Sequence, residues 1–360
     1  MTRSQASISR RRFLGRTARG AAGALAMPFF VPSSALAGPA RLGANDRIVL
    51  GIIGMGVRGD QLILNVPESG HVAAVCDADR RKTDAVTAKH QANWKVYQDY
   101  RKLIEQPDLD AVIVDACDHH HVLASILAGQ AGKDVYCEKP LSLYIREGRA
   151  LVAAARKYGS VVQHGTQQRT MEMNRFSCEF VRDGGIGKIH AVECVNFKGP
   201  IPYPAGGLPA EPVPEGVDWN LWQGQAPEHP FNRKLFSHWT DGVGNWWGNW
   251  RDYSNSQLTG LGSHAFDMVQ YALGMDETGP VELWPVEEGP TARLRFRYAN
   301  GVNVKLDNGN PGGAIFIGDK GKLEIFRGRV TSNPDDVVKQ PTRDDEIHLY
   351  KSDNHMQNWL

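Results

Sequence analysis

Three glycines supply the first chemistry in this chain. In Gly54-Met55-Gly56-Val57-Arg58-Gly59 they have the spacing of a phosphate-cradling turn. Gly54 permits a tight turn, Gly56 lets backbone approach a pyrophosphate, and Gly59 lets the following helix pack on the strand. Met55, Val57 and Arg58 complete the loop, and the helix N-terminus beyond it offers free N–H groups and a partial positive charge. Asp77 follows about 20 residues later, the spacing expected of an acid that binds an adenosine ribose. Such an acid repels a 2′-phosphate, so it favours NAD; Arg80 and Arg81 leave NADP open.

These residues need a particular frame. The apolar run Ile48–Ile53 reads as a buried strand leading into the glycines, and Val72–Cys76 as a second strand ending at Asp77. Gln61–Asn65 starts a helix, ended by Pro67 and Gly70, and Arg80–His90 reads as the next helix. Asp110–Val114, Asp134–Cys137 and Val161–His164 continue the strands, with a helix carrying Val122, Leu123, Ile126 and Leu127 and another at 144–158 between them. Strands alternating with helices imply a parallel sheet with right-handed crossovers. The expected fold class is α/β, with an N-terminal doubly wound Rossmann sheet over 46–165. A C-terminal α+β domain over 166–335 should carry a mainly antiparallel sheet. There a helix at 171–183 precedes a long alternating strand, Lys188–Lys198, and a loop at 199–232 rich in Pro, Gly and Trp. Asn300-Gly301 marks one hairpin and Gly318-Asp319-Lys320-Gly321 a second turn.

Composition excludes several classes. The chain has 360 residues, 41% hydrophobic and 22% charged, an ordinary globular balance. A net charge of +1 implies no broad basic surface for nucleic acid. No apolar run suits a stable membrane span. The five cysteines are widely spaced and form no C-x-x-C pair, which argues against a disulfide framework and a zinc site. Consecutive His119, His120 and His121 cannot face one ligand point, so no metal is expected there.

Residues 1–40 read as an address. Ser9-Arg10-Arg11-Arg12-Phe13-Leu14 resembles a twin-arginine export signal, with Gly15 where Lys is usual. An apolar segment, Ala21–Phe30, and an A-x-A site, Ala35-Leu36-Ala37, follow in order. The expected location is periplasmic or otherwise outside the cytoplasm, reached through the twin-arginine machinery. No soluble dinucleotide pool exists there, so the cofactor should be loaded before export, held tightly and regenerated within one cycle or by a second substrate.

The glycine loop, Glu138-Lys139-Pro140 and Gly262-Ser263-His264-Ala265-Phe266-Asp267 together resemble the Gfo/Idh/MocA family of NAD(P)-dependent oxidoreductases. Asp118-His119-His120-His121 and Gly165-Thr166-Gln167-Gln168-Arg169 are similar to members with an export signal. The resemblance implies that Lys139, after a cis bond to Pro140, donates to a substrate hydroxyl, and that His264 is the general acid/base. It implies that Asp267 tunes the imidazole or touches substrate, that Glu138 and His121 line the cofactor pocket, and that His119 and His120 cap a helix or face solvent. Gln167 and Arg169 would lie at the domain junction; Arg169 meets either substrate or a structural ion pair. Trp250 and its neighbours in 219–250 would stack on sugar rings or pack their own loop. Gly260 stands where many sugar and inositol dehydrogenases of the family carry Asp, so a different proton relay is expected. Similar exported members continue past Leu360 into a further helix, so residues 336–360 read as a shortened C-terminal segment.

The expected function is oxidoreductase chemistry on a carbohydrate or polyol hydroxyl with tightly bound NAD, in a homo-oligomer by family analogy. An NAD-dependent glycosidase or lyase that oxidises its sugar transiently is the second reading. A non-catalytic sugar-binding protein on a Rossmann fold is the third.

Overall fold

The apolar run Ile48–Ile53 forms the central strand of a parallel sheet, because residues buried on both faces suit a strand covered by helices on either side. In the computed structural model, residues 46–289, 292–335 and 347–360 are described. Residues 1–40, where an export signal is expected, and much of the 336–360 segment lie outside them. In order, β1 (Ile48–Ile53), α1 (Val57–Asn65), β2 (Gly70–Cys76), α2 (Arg80–His90), β3 (Lys95–Tyr97), α3 (Tyr100–Ile104) and β4 (Ala111–Val114) alternate. They continue as α4 (His121–Gln130), β5 (Asp134–Cys137), α5 (Ile145–Tyr158) and β6 (Val162–His164). The six strands run parallel in the order β3-β2-β1-β4-β5-β6. Strand order reverses between β1 and β4, which opens a crevice at their carboxyl ends.

Alternation along the strands divides the core between the two faces. Leu50, Ile52, Val75 and Ile113 bury on one face, and Ile53, Ala74, Val112 and Val114 on the other, under Leu103, Ala124 and Ala128. Helix α1 begins at Val57 rather than Gln61, with Gly56 as its N-cap. The last glycine of the motif is therefore already helical.

The second domain has α6 (Glu172–Arg182), β7 (Ile189–Cys194), three short helices α7 (Trp219–Gln223), α8 (Arg233–Phe236) and α9 (Gln257–Gly260), and α10 (Gly262–Leu273). Then come β8 (Glu282–Pro285), β9 (Leu294–Arg297), β10 (Asn303–Leu306), β11 (Ala314–Gly318), β12 (Gly321–Phe326) and β13 (Arg329–Asn333). The seven strands are ordered β13-β12-β11-β7-β10-β9-β8, antiparallel except for β7 against β10. Both expected turns fall between paired strands, β9 with β10 and β11 with β12. Strand β7 is shorter than the expected Lys188–Lys198. Its partner β10 ends at Leu306, opposite Cys194, and the N–H groups of Asp307 and Asn308 both close on the Cys194 carbonyl. Helices α6 and α10 cover one sheet face, where Cys178, Val181, Met268 and Val269 pack on Val192, Val304, Phe316 and Leu323. All five cysteines are free.

The C-terminal residues leave the second domain. Leu349 N–H donates to Glu179 Oε1 (2.8 Å), and α11 (His355–Trp359) then docks on the first domain. Met356 and Trp359 enter the core formed by Leu50, Ile113 and Tyr136. This segment packs into the Rossmann core rather than into the second domain. Replacing Trp359, 8% exposed, with Ala should cost about 3 kcal/mol of stability, read from the denaturant midpoint.

Candidate active site

Each glycine of the loop has its own steric reason. Gly54 adopts φ +101°, and a Cβ there would lie 2.4 Å from the Asp115 carbonyl oxygen. A Cβ on Gly59 would lie 2.2 Å from the Gly54 carbonyl, so α1 sits directly on the turn. Gly56 meets nothing within 4 Å and leaves open space where backbone borders the crevice. Asp77 fixes this loop: one carboxylate oxygen accepts from Met55 N–H (2.9 Å) and the other from Asp79 N–H (2.9 Å). Asp79 caps α2 and pairs with Arg81 at 2.7 Å, while Arg80 lies 3.9 Å from Asp84 at the surface. The open Gly56 backbone, the helix N-terminus and the anchored ribose acid form a cradle that fits a dinucleotide.

A cavity of about 890 Å³ extends from this cradle. Its wall includes the whole glycine loop, Asp77, Asp115, His121, Glu138, Lys139, Gly260 and Leu261. Arg58 donates from Nε (2.9 Å) and Nη2 (2.7 Å) to Glu138 Oε1, and the other Glu138 oxygen accepts from Lys139 N–H (3.0 Å). Glu138 is 1% exposed, so Arg58 neutralises a carboxylate that burial would otherwise disfavour. The Lys139–Pro140 bond is cis, and Lys139 Nζ donates to the Gly260 carbonyl (3.1 Å). Gly260 thus meets Lys139 through its backbone, with no side chain needed.

His121 donates from Nδ1 to the Pro140 carbonyl (2.6 Å) and from Nε2 to the Ala116 carbonyl (2.9 Å). Carbonyls only accept, so both ring nitrogens carry protons and the ring is an imidazolium. Burial alone pulls its pKa down; Cys137, Asp118 and the Pro140 carbonyl outweigh burial and raise it to about 10. Asp115 keeps some surface open to the cavity but is hemmed in by protein. Burial first, then Glu138, pushes its carboxyl well above the ordinary range. The sequence reading did not single out Asp115. Its signal was an acid immediately after an apolar strand, at the carboxyl edge of the sheet.

His264 lies on the first turn of α10, 3% exposed and outside the cavity wall itself, with its N–H on the carbonyl of the lining residue Leu261 (3.1 Å). Its Nδ1 has no hydrogen-bond partner. Burial, then the charges of Lys139, Arg327 and Arg58, lower its pKa to about 3, so the ring is neutral across the neutral range.

Asp267 does not orient His264: it is gripped by Arg169, at 2.9 Å from Nε and 2.6 Å from Nη2. Arg169 also pairs with Asp276 (2.8 Å) and lies over Tyr271, which makes it structural and places neither it nor Asp267 in the cavity wall. Gln167 is likewise outside the wall; its neighbour Gln168 bridges to the Gly312 carbonyl (3.0 Å). Trp250 is 4% exposed and its indole donates to the Lys234 carbonyl (2.7 Å), so it packs its own loop. His119 and His120 are buried rather than solvent-facing, and both donate from Nε2 to the Trp222 carbonyl. Among the described residues, no group of His, Cys, Asp or Glu is arranged to hold a metal, and no helix is long and apolar enough to cross a membrane.

A Rossmann domain with this cradle, joined to an α/β domain that supplies the far wall, defines a two-domain NAD-binding oxidoreductase. Residues 48–166 match the NAD-binding Rossmann fold of the Gfo/Idh/MocA oxidoreductase family, and residues 201–352 match that family's C-terminal alpha/beta domain. The chain belongs to this family, and its cofactor is NAD. It is 30% identical to the uncharacterized oxidoreductase YrbE of Bacillus subtilis, over 78% of this chain and 71% of that one. It is 34% identical to the inositol 2-dehydrogenase of Salmonella paratyphi B, over 33% of this chain and 37% of the relative. The fold is shared with the crystal structure of an aldose-aldose oxidoreductase from Caulobacter crescentus complexed with glycerol. That match has a TM-score of 0.57 and 18% identity, and covers 87% of each chain.

Two outcomes test the site. Gly56→Ala should melt at the wild-type temperature yet lose at least about tenfold in NADH affinity. Gly59→Ala should instead lose about 2 kcal/mol of stability through its clash with Gly54. The pH test concerns His264, whose folded pKa lies below its unfolded value of 6.5, so the unfolded chain binds the proton first. Stability is therefore lost as pH falls from about 6.5 toward 3. Relative to His264→Asn, the wild type should lose up to about 1.4 kcal/mol per pH unit between pH 6 and 4 in denaturant titrations.

Proposed function

We propose that this protein oxidises a hydroxyl of a carbohydrate or polyol, using NAD that it holds through repeated turnovers and that a second, carbonyl-bearing substrate reoxidises by taking the hydride back. The observation that carries the reading is Lys139. Its ammonium sits in the cavity wall at the end of β5 and reaches the backbone just before α10, where His264 is buried and neutral. When bound, NAD+ supplies the acceptor for hydride at the C4 position of its nicotinamide. Lys139 donates to the substrate oxygen and fixes its position. As the carbon loses hydride, the hydroxyl proton becomes strongly acidic, and a neutral imidazole at His264 accepts it. Glu138 and Arg58 hold the Lys139 backbone in place, and the His121 imidazolium clamps the Pro140 and Ala116 carbonyls beneath it.

The substrate class is supported by the inositol 2-dehydrogenase relatives and by the glycerol-bound aldose-aldose oxidoreductase fold. The same reading includes export by the twin-arginine route, supported by Ser9–Leu14 and Ala35-Leu36-Ala37. Assembly of like subunits is supported by Leu283 and Trp284, exposed on the edge strand β8.

The test is isotope transfer. Purified protein is incubated with polyols and aldoses deuterated at their carbinol carbons, and the bound dinucleotide is weighed after denaturation. Deuterium should enter the dinucleotide with at least one substrate. Lys139→Ala and His264→Asn should each slow that transfer about 100-fold while NAD content stays unchanged. Transfer at the wild-type rate in both variants, or from no substrate of the panel, defeats the reading.

A further inference from the structure

The aromatic segment of the second domain does not cluster near Lys139 alone. It is stitched to the other end of the cavity, beside the ribose acid Asp77. Asp79 and Val217 form a β-bridge, Asp218 N–H donates to the Ala78 carbonyl (2.9 Å), and Arg80 N–H donates to the Gly216 carbonyl (2.9 Å). Gln98 ties the same two strands of chain, donating to both Ala78 O (3.1 Å) and Gly216 O (3.0 Å).

Lys82 joins this seam to the aromatic side chains. Its Nζ lies 3.9 Å from Asp77 and 5.6 Å from the centre of the Phe236 ring, and it shares an electrostatic field with Asp241 and His238. The His238 ring in turn touches Trp239 (5.4 Å between ring centres) and Trp246 (5.8 Å). Phe236, Trp239 and Trp246 all line the cavity. Trp239 is 65% exposed, an unusual cost for so large an apolar ring.

We propose that Phe236, Trp239 and Trp246 form a wall over the adenosine half of the NAD site, with Lys82 as the clasp between that wall and Asp77. Their job is cofactor retention, not sugar stacking. A flat purine matches aromatic faces, and closure from the second domain means adenosine leaves only when this loop lifts. The inference rests on the NAD site and not on the hydride chemistry, so it stands or falls separately from the substrate reading.

The experiment measures binding alone. Full-length protein loaded with NADH is chased with excess NAD+, and release is followed by NADH fluorescence. ADP-ribose affinity is measured by calorimetry. Trp239→Ala, whose exposure spares the fold, and Trp246→Ala are compared with wild type, with melting temperatures as the folding control. NADH release should speed up about tenfold in each variant, and ADP-ribose affinity should fall by a similar factor. Values within twofold of wild type in both variants overturn the proposal. Faster NADH release with unchanged ADP-ribose affinity also overturns it, because the rings would then serve the nicotinamide half.

Discussion

The site depends on one buried ion pair. Glu138 has almost no exposure, and a carboxylate in that position is tolerable only because Arg58 and the Lys139 N–H saturate it. The pair joins two things that must be in register for the chemistry. Arg58 comes from the first turn of the helix on which phosphate is received, and Glu138 from the strand end that carries Lys139. From Lys139 the connection runs on to the Gly260 carbonyl and the start of α10. Cofactor cradle, Lys139 ammonium and buried imidazole are thus tied in one series of short contacts.

Charge is distributed along that series with purpose. His121 is a fixed cation because it has two carbonyls to satisfy, whereas His264 is neutral because it has none at Nδ1 and three cations nearby. Two buried histidines are driven to opposite protonation states by their partners. His119 and His120 take a third course, each neutral and committed to the Trp222 carbonyl.

The Rossmann half was legible because its signals are local. An apolar run before Gly54 and an acid after Val75-Cys76 specify strand, turn and the acid that anchors the turn within a few residues of each. The ranges of α2 and β5 follow for the same reason. What the sequence could not display was pairing across the chain. Asp267 looks like a tuning group for His264 at helical spacing, yet Arg169, almost a hundred positions away, claims it. His119 and His120 read as helix caps until Trp222 is folded over them. Gly260 looks like a missing acid, but its contribution is a carbonyl, which any residue type supplies. Trp250 was indistinguishable from the tryptophans that do face the cavity, since only tertiary packing sorts them.

The path of the chain also sets an order of assembly. Synthesis proceeds from the first domain to the second, but Met356 and Trp359 belong to the first domain's core. Until these residues emerge from the ribosome, the face of the parallel sheet around Leu50 and Tyr136 lacks part of its cover. The nucleotide cradle, built early in translation, therefore becomes fully supported only after the second domain has been made. Premature termination near residue 350 would damage the N-terminal domain rather than the one being made.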